Sequence, residues 1–97
     1  MRYFTLGIHY PEPEHKQDIL AVAKEVAGIA RSCEGLVETG AWLDEEFDRI
    51  IMMSLSESEG FANRARPKLA PLIVPIPWSE WERKPSENMV NLKKALF

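Results

Sequence analysis

The segment DRIIMMSL, residues 48–55, constrains the fold most strongly, because it is apolar on both faces if it forms a strand. Side chains alternate along a strand, so Ile50 and Met52 point to one face while Ile51 and Met53 point to the other. A strand with one face in water alternates apolar and polar residues instead. Both faces of this strand must therefore be covered, in a chain of only 97 residues.

Composition places the chain among ordinary globular proteins, with 45% hydrophobic and 28% charged residues. Its net charge of −3 and its scattered basic residues argue against nucleic acid as a partner. The one cysteine, Cys33, excludes an internal disulfide and fits a reducing compartment. No apolar run is long enough to span a membrane, and the N-terminal stretch lacks the features of a signal peptide. We therefore expect a single cytoplasmic domain over residues 1–97 with no membrane partner.

The first half of the chain predicts a strand, a helix and a hairpin. Residues 2–10 are rich in aromatic and β-branched side chains and stop at Pro11, which is typical of a strand. Apolar residues at helical spacing predict a helix with one buried face over 14–33. Two further strands, 36–44 and 48–55, are separated by a short acidic link, which indicates an antiparallel hairpin.

The second half predicts a short helix, a single turn and a last strand. Ser56 and Glu59 have the spacing of a capping box, and Pro67 is expected to shorten or break the helix that they begin. The segment WSEWER, residues 78–83, is expected to form one helical turn. Residues 87–94 are then expected to form the final strand.

The predicted order of elements is β-α-β-β-α-β, the ferredoxin-like arrangement of the α+β class. It gives a four-stranded antiparallel sheet with both helices on one face, so the second apolar face of residues 48–55 stays uncovered. Leaving about five such side chains in water, at about 1.5–3 kcal/mol each, costs as much as a domain's whole stability. We therefore predict a homodimer that packs sheet to sheet.

Three segments also carry a family resemblance: YFTLGIHYPEPEH (3–15), EGLVETGAWLDEEFDRIIMMSLSESEGF (34–61) and PWSEWE (77–82). With them the chain resembles the antibiotic-biosynthesis-monooxygenase-like family of dimeric α/β barrels over nearly its whole length. The resemblance implies a pocket in each subunit between sheet and helices. Some members oxygenate aromatic polyketides with molecular oxygen and no cofactor, a second branch degrades haem, and others have no known activity.

The chain departs from the family pattern at two places. Leu55 occupies the position at which members often carry a tryptophan at the end of the third strand. The second helix lacks the histidine that many members have there, and no histidine follows His15. Haem degradation is therefore not expected, and no cofactor is predicted.

Four residues are candidates for a substrate site. His9 is the candidate general base, since imidazole titrates near neutrality; a hydrogen-bonded histidine at the sheet face or dimer interface is the alternative. Trp42 is expected to line a flat aromatic pocket, with core or interface packing as its alternative. Asn63 and Arg64 are expected at the mouth of the pocket; the alternative is that both are solvated residues on the second helix.

The remaining reactive residue types favour structural roles. His15 is expected to be solvated, and it has no spacing with His9 that would suit a metal, so no metal site is predicted. Trp78 and Trp81 are expected to seal an edge of the domain or of the dimer. Cys33 ends the apolar stripe of the first helix and is predicted to be a packed thiol.

Two hypotheses for function follow. The first is a cofactor-independent monooxygenase that acts on a small planar aromatic or polyketide-like substrate. The second is a ligand-binding or structural homodimer that has the same fold and no catalysis. A cavity of a few hundred cubic ångströms faced by His9 or Trp42 favours the enzyme, whereas a space filled with side chains excludes it.

Overall fold

Four strands and three α-helices occur in the part of the chain that this computed structural model describes, residues 1–92 without the side chains of 88–91. In chain order they are β1 (Tyr3–His9), a 3₁₀ turn (Pro13–His15), α1 (Lys16–Arg31), β2 (Leu36–Asp44), β3 (Arg49–Ser56), α2 (Glu59–Ile73), α3 (Trp78–Trp81) and β4 (Glu87–Leu92). The predicted α+β class is confirmed. The last two residues of the strand predicted over 87–94 lie outside the described residues.

The strands form an antiparallel sheet in the order β2-β3-β1-β4. β3 therefore has a neighbour on each side, pairing with β1 and with β2. In register, Thr5 of β1 lies opposite Ser54, and His9 lies opposite Ile50. The central place of β3 accounts for its apolar composition, because such a strand contributes to both faces at the middle of the sheet.

The two faces of the sheet differ in what lies over them. The helical face, which carries Thr5, Gly7 and His9 of β1 with Met52 and Ser54 of β3, is opposed by α1 and α2 across a cavity. The open face carries the side chains of the other parity, among them Phe4, Leu6, Ile8, Trp42, Ile51, Met53 and Leu55. The strand parity that faces the helices, which the sequence leaves undecided, is thus the parity of His9.

α2 is longer than the sequence predicts, and Pro67 does not break it. The helix runs from Glu59 to Ile73 through both Pro67 and Pro71. The two prolines are four residues apart and exposed, so the backbone hydrogen bonds they remove lie on the solvent side, where water can satisfy the carbonyls. The predicted capping box is also wrong, since Ser58 is the N-cap and its Oγ accepts the N–H of Phe61 at 3.3 Å.

Gly35, in the turn between α1 and β2, is required by both conformation and space. Its φ is +83°, and a methyl group built on it would overlap the ring of Phe61. We expect Gly35→Ala to lower the free energy of unfolding by about 2–4 kcal/mol, from left-handed strain and overpacking together. Urea unfolding followed by circular dichroism measures the change.

The matched control is Gly28, inside α1, where a methyl group meets nothing within 4 Å. Gly28→Ala should raise the free energy of unfolding by about 0.5–1 kcal/mol, since alanine loses less backbone freedom in a helix than glycine does. Equal losses in both variants would contradict a specific role for Gly35.

The β2–β3 turn is fastened by an ion pair. Nε of Arg49 donates to Oδ2 of Asp44 at 2.7 Å, and this hydrogen bond lowers the pKa of the Asp44 carboxyl below its ordinary value. The same contact raises the pKa of the Arg49 guanidinium. The two strand ends that flank the turn are thereby held together.

Candidate active site

A cavity of about 310 Å³ lies between the helical face of the sheet and the two long helices. It exists because the helix surfaces that face the sheet carry small side chains. Ala23, Ala27 and Ala30 of α1 and Ala62 and Ala65 of α2 line it, and Gly7 lies in the floor. An apolar stripe at helical spacing normally fills the space above a sheet, but a stripe of alanines leaves room for a ligand.

Hydroxyl groups lie along the floor of the cavity. The Oγ1 of Thr5 and the Oγ of Ser54 are 2.6 Å apart, across the β1–β3 pair, and either one can be the donor. Thr39 on β2 donates its Oγ1 proton to the carbonyl of Met53 at 3.1 Å. The floor therefore combines apolar surface with a hydroxyl pair that can orient a polar group of a ligand.

His9 lines the cavity at the end of β1. Its ring stacks on that of Trp78, with centroids 5.1 Å apart and an interplanar angle of 29°. The side chain is 17% exposed, and its Nδ1 lies 3.3 Å from the Oε1 of Glu82. Of the predicted site residues, His9 is the one that the structure brings to the cavity.

Glu82 is the residue that sequence reasoning missed. It follows α3 directly, and its side chain is 2% exposed. The Oε1 of Glu82 accepts the backbone N–H of Tyr10 at 2.8 Å. Nothing in the segment WSEWER distinguishes Glu82 from the exposed Glu80, so the sequence gives no signal of its burial.

Backbone pairing around Tyr10 explains how Glu82 reaches His9. Pro11 and Glu82 form an isolated antiparallel bridge, and the N–H of Arg83 donates to the carbonyl of Tyr10 at 2.9 Å. The hydroxyl of Tyr10 donates to Oε1 of Glu87 at 2.7 Å, and this bond is the main cause of the raised pKa of the Tyr10 phenol. Residues 82–87, which follow α3, are thus hydrogen-bonded to residues 10–11, which follow β1.

The other predicted substrate contacts are not among the residues that line this cavity. Trp42 does not line the cavity, since it lies on the open face, 57% exposed, with its ring over Gly40. The register shift between Leu36 and Glu38 explains this: it leaves Leu36 on the helical face and turns Trp42 to the open face.

Asn63 and Arg64 are exposed on α2 and are not among the residues that line the cavity. Helical geometry explains the difference, because the positions facing inward are Ala62, Ala65 and Leu69. The guanidinium of Arg64 lies over the ring of Phe61, 4.6 Å from its centroid. Neither residue therefore lines this cavity.

The remaining aromatic and thiol residues take specific places. Trp81 stacks on His15 with centroids 5.4 Å apart, as Trp78 stacks on His9. Nδ1 of His15 lies 3.0 Å from Oδ2 of Asp18, so His15 is engaged and not simply solvated. Cys33 is buried and is one of the residues that line the cavity.

Two absences are observed within residues 1–92. No group of three or more His, Cys, Asp or Glu side chains in this part of the chain is arranged to hold a metal ion. Nor does any helix within the same residues have the length and apolar character needed to cross a bilayer.

Comparisons by sequence find nothing, whereas comparisons by structure find close matches. No protein-family model and no curated protein matches the chain by sequence. A conserved protein from Methanosarcina mazei superposes with a TM-score of 0.83 at 18% identity, over 98% of this chain and 94% of the other. The protein Rv0793 from Mycobacterium tuberculosis superposes with a TM-score of 0.78 at 12% identity, over 98% and 99% of the two chains.

A third solved structure carries a functional name. It is that of an antibiotic biosynthesis monooxygenase, with a TM-score of 0.73 at 13% identity, over 98% of this chain and 99% of the other. At these identities the likeness shows the fold and not the chemistry. The chain has the ferredoxin-like fold of the antibiotic-biosynthesis-monooxygenase-like proteins, as its sequence predicts.

Proposed function

We propose that this protein is a cofactor-independent monooxygenase whose substrate is a small planar aromatic or polyketide-like molecule, with His9 as the general base. The observation that carries the proposal is the place of His9: a largely buried imidazole at the wall of an apolar cavity, beside a buried carboxylate. A volume of about 310 Å³ suits a small ligand. The fold shared with an antibiotic biosynthesis monooxygenase supports the same reaction class.

The proposed reaction begins when His9 removes a proton from an acidic C–H or O–H group of the substrate. The resulting anion reduces molecular oxygen and forms a carbon–oxygen bond. For an anthrone-like CH₂ group, one oxygen atom stays as the new carbonyl, and the second leaves as water with the two hydrogens. The substrate supplies all the electrons, so the protein contributes orientation, proton removal and a cavity of low polarity.

The floor hydroxyls are suited to hold such a substrate. Thr5 and Ser54 share one hydrogen bond between two hydroxyl groups, which leaves the proton of the second hydroxyl for a ligand acceptor. A carbonyl oxygen bound there would lie on the same face of β1 as His9, since both side chains have the same strand parity. The ligand would therefore span the floor from the hydroxyl pair toward the base.

Oxygen uptake by the wild-type protein with anthrone tests the proposal directly. Incorporation of one labelled atom from ¹⁸O₂ into the product, with the second atom in water, is the expected result. Absence of uptake across a panel of anthrones and phenols would reject the monooxygenase.

The alternative is a dimer that binds a ligand without reacting with it. It is favoured by one observation: Trp42, Asn63 and Arg64, the three predicted substrate contacts, all lie away from the cavity. The two candidates differ in a measurable way, because a binding protein would take up anthrone in calorimetry and consume no oxygen.

We also propose that residues 1–97 form one cytoplasmic domain that pairs with a second copy through the open face. The side chains of Phe4, Ile51, Met53 and Leu55 on this face are only half-buried, and Trp42 is 57% exposed. An apolar surface of this kind, opposite the helices, is what a sheet-to-sheet homodimer would cover.

Filling the cavity should weaken ligand binding and leave the fold intact. Ala27 lines the cavity on α1, so Ala27→Phe is expected to weaken anthrone binding by about 10-fold or more, because the ring occupies the ligand's space. Isothermal titration calorimetry measures the effect. Ala21→Phe is the matched control, since Ala21 is exposed on the same helix and should leave binding unchanged. Wild-type affinity in Ala27→Phe would show that the ligand binds elsewhere.

A further inference from the structure

The carboxylate of Glu82 is buried with little to compensate its charge. The side chain is 2% exposed, and Oε1 accepts the N–H of Tyr10 at 2.8 Å. Oε2 is buried and has no hydrogen-bond partner within residues 1–92. Burial of a carboxylate is costly unless donors or an opposite charge face it, so this group calls for a further partner.

The nearby cationic side chains are engaged with other groups. The guanidinium of Arg83 donates to the carbonyls of Pro11, Phe47 and Asp48, at 2.8–3.1 Å. The ammonium of Lys84 lies over the ring of Tyr10, 4.0 Å from its centroid. Nδ1 of His9 lies 3.3 Å from Oε1 and, like Oε2 of Glu82, is buried with no hydrogen-bond partner in the described residues, so the imidazole is the group placed to face the carboxylate.

We infer that Glu82 is a positioning residue that holds the proton of neutral His9 on Nδ1 and leaves Nε2 unprotonated. A carboxylate can only accept, so it favours the tautomer that presents an N–H to it. Stacking on Trp78 fixes the plane of the same ring. The catalytic consequence, a base that acts through Nε2, rests on the function proposed above, whereas the tautomer is a property of the resting protein.

Nitrogen NMR of histidine-labelled protein tests the inference without substrate. At a pH where both imidazoles are neutral, we expect His9 of the wild type to be mainly in the Nδ1–H form. In Glu82→Gln, the ratio of Nδ1–H to Nε2–H in His9 should fall about fivefold or more, since a neutral amide is a weaker acceptor than a carboxylate. Glu82→Asp, which keeps the carboxylate, should restore part of the ratio.

Two controls separate positioning from a general loosening of α3. Glu80→Gln changes an exposed glutamate of the same helix and should leave His9 unchanged. His15, stacked on Trp81 of α3, should keep its own signals in Glu82→Gln, because its carboxylate partner is Asp18.

A wild-type His9 mainly in the Nε2–H form would overturn the inference, whatever the variants do. So would an unchanged ratio in Glu82→Gln, or an equal shift of His9 and His15 in that variant. None of these results depends on turnover, so failure of the inference can be told from failure of the proposed monooxygenase.

Discussion

Replacement of His9 by alanine is expected to lower the rate of oxygen uptake with anthrone by about 10²–10⁴-fold. That range is what a positioned general base typically contributes. In this cavity no other imidazole is available, because His15 lies in the 3₁₀ turn outside it. Oxygen-electrode rates at saturating anthrone give the comparison, and calorimetry shows whether the variant still binds.

His15→Ala is the matched control for this prediction. Both histidines stack on a tryptophan and lie near a carboxylate oxygen, but only His9 lines the cavity. The wild-type rate is therefore expected in His15→Ala. If His9→Ala binds anthrone and also keeps the wild-type rate, proton transfer to His9 has no part in the reaction.

Replacement of Ile51 by aspartate should convert the proposed homodimer to a monomer. Ile51 lies at the centre of the open face, paired with Ile8 on one side and Trp42 on the other. A two-fold interface would bury the new carboxylate once in each protomer, against apolar side chains, and each burial costs several kcal/mol. Size-exclusion chromatography with light scattering gives the mass directly.

Val74→Asp provides the control for the added charge. Val74 is 77% exposed beyond the end of α2, on the helical side of the sheet, so its replacement should leave a dimer. Circular dichroism checks that both variants remain folded. A folded Ile51→Asp protein that is still dimeric would place the interface elsewhere.

Much of the architecture could be read from the chain because hydrophobic patterns specify secondary structure locally. The two-sided apolar pattern of residues 48–55 correctly indicates a strand that contributes to both faces of the sheet. The orientation of β2 could not be read in this way. The register shift between Leu36 and Glu38 moves each later side chain of β2 to the opposite face of the sheet from the one that simple alternation predicts. No residue type in the sequence marks that shift.

The site was predictable only in part, for a different physical reason. His9 can be recognised as a candidate base from the sequence alone, because proton transfer near neutral pH is a property of the imidazole group itself. Glu82 is not, because its buried carboxylate accepts the backbone N–H of Tyr10, a residue 72 positions earlier in the chain. The family resemblance implied a pocket between sheet and helices, but the residue pattern alone did not, because Ala23, Ala27 and Ala30 have the spacing of a packed helix face and only their small volume against the sheet leaves space.

The three tryptophans lie in three different environments, so each can serve as an intrinsic fluorescence probe of a different event. Trp78 stacks on the candidate base, Trp81 stacks on the control histidine, and Trp42 lies in water on the open face. Emission from Trp78 would respond to the charge on His9, and emission from Trp42 would shift to the blue as a second copy covers it. Single-tryptophan variants would thus follow chemistry and assembly separately, with no dye attached.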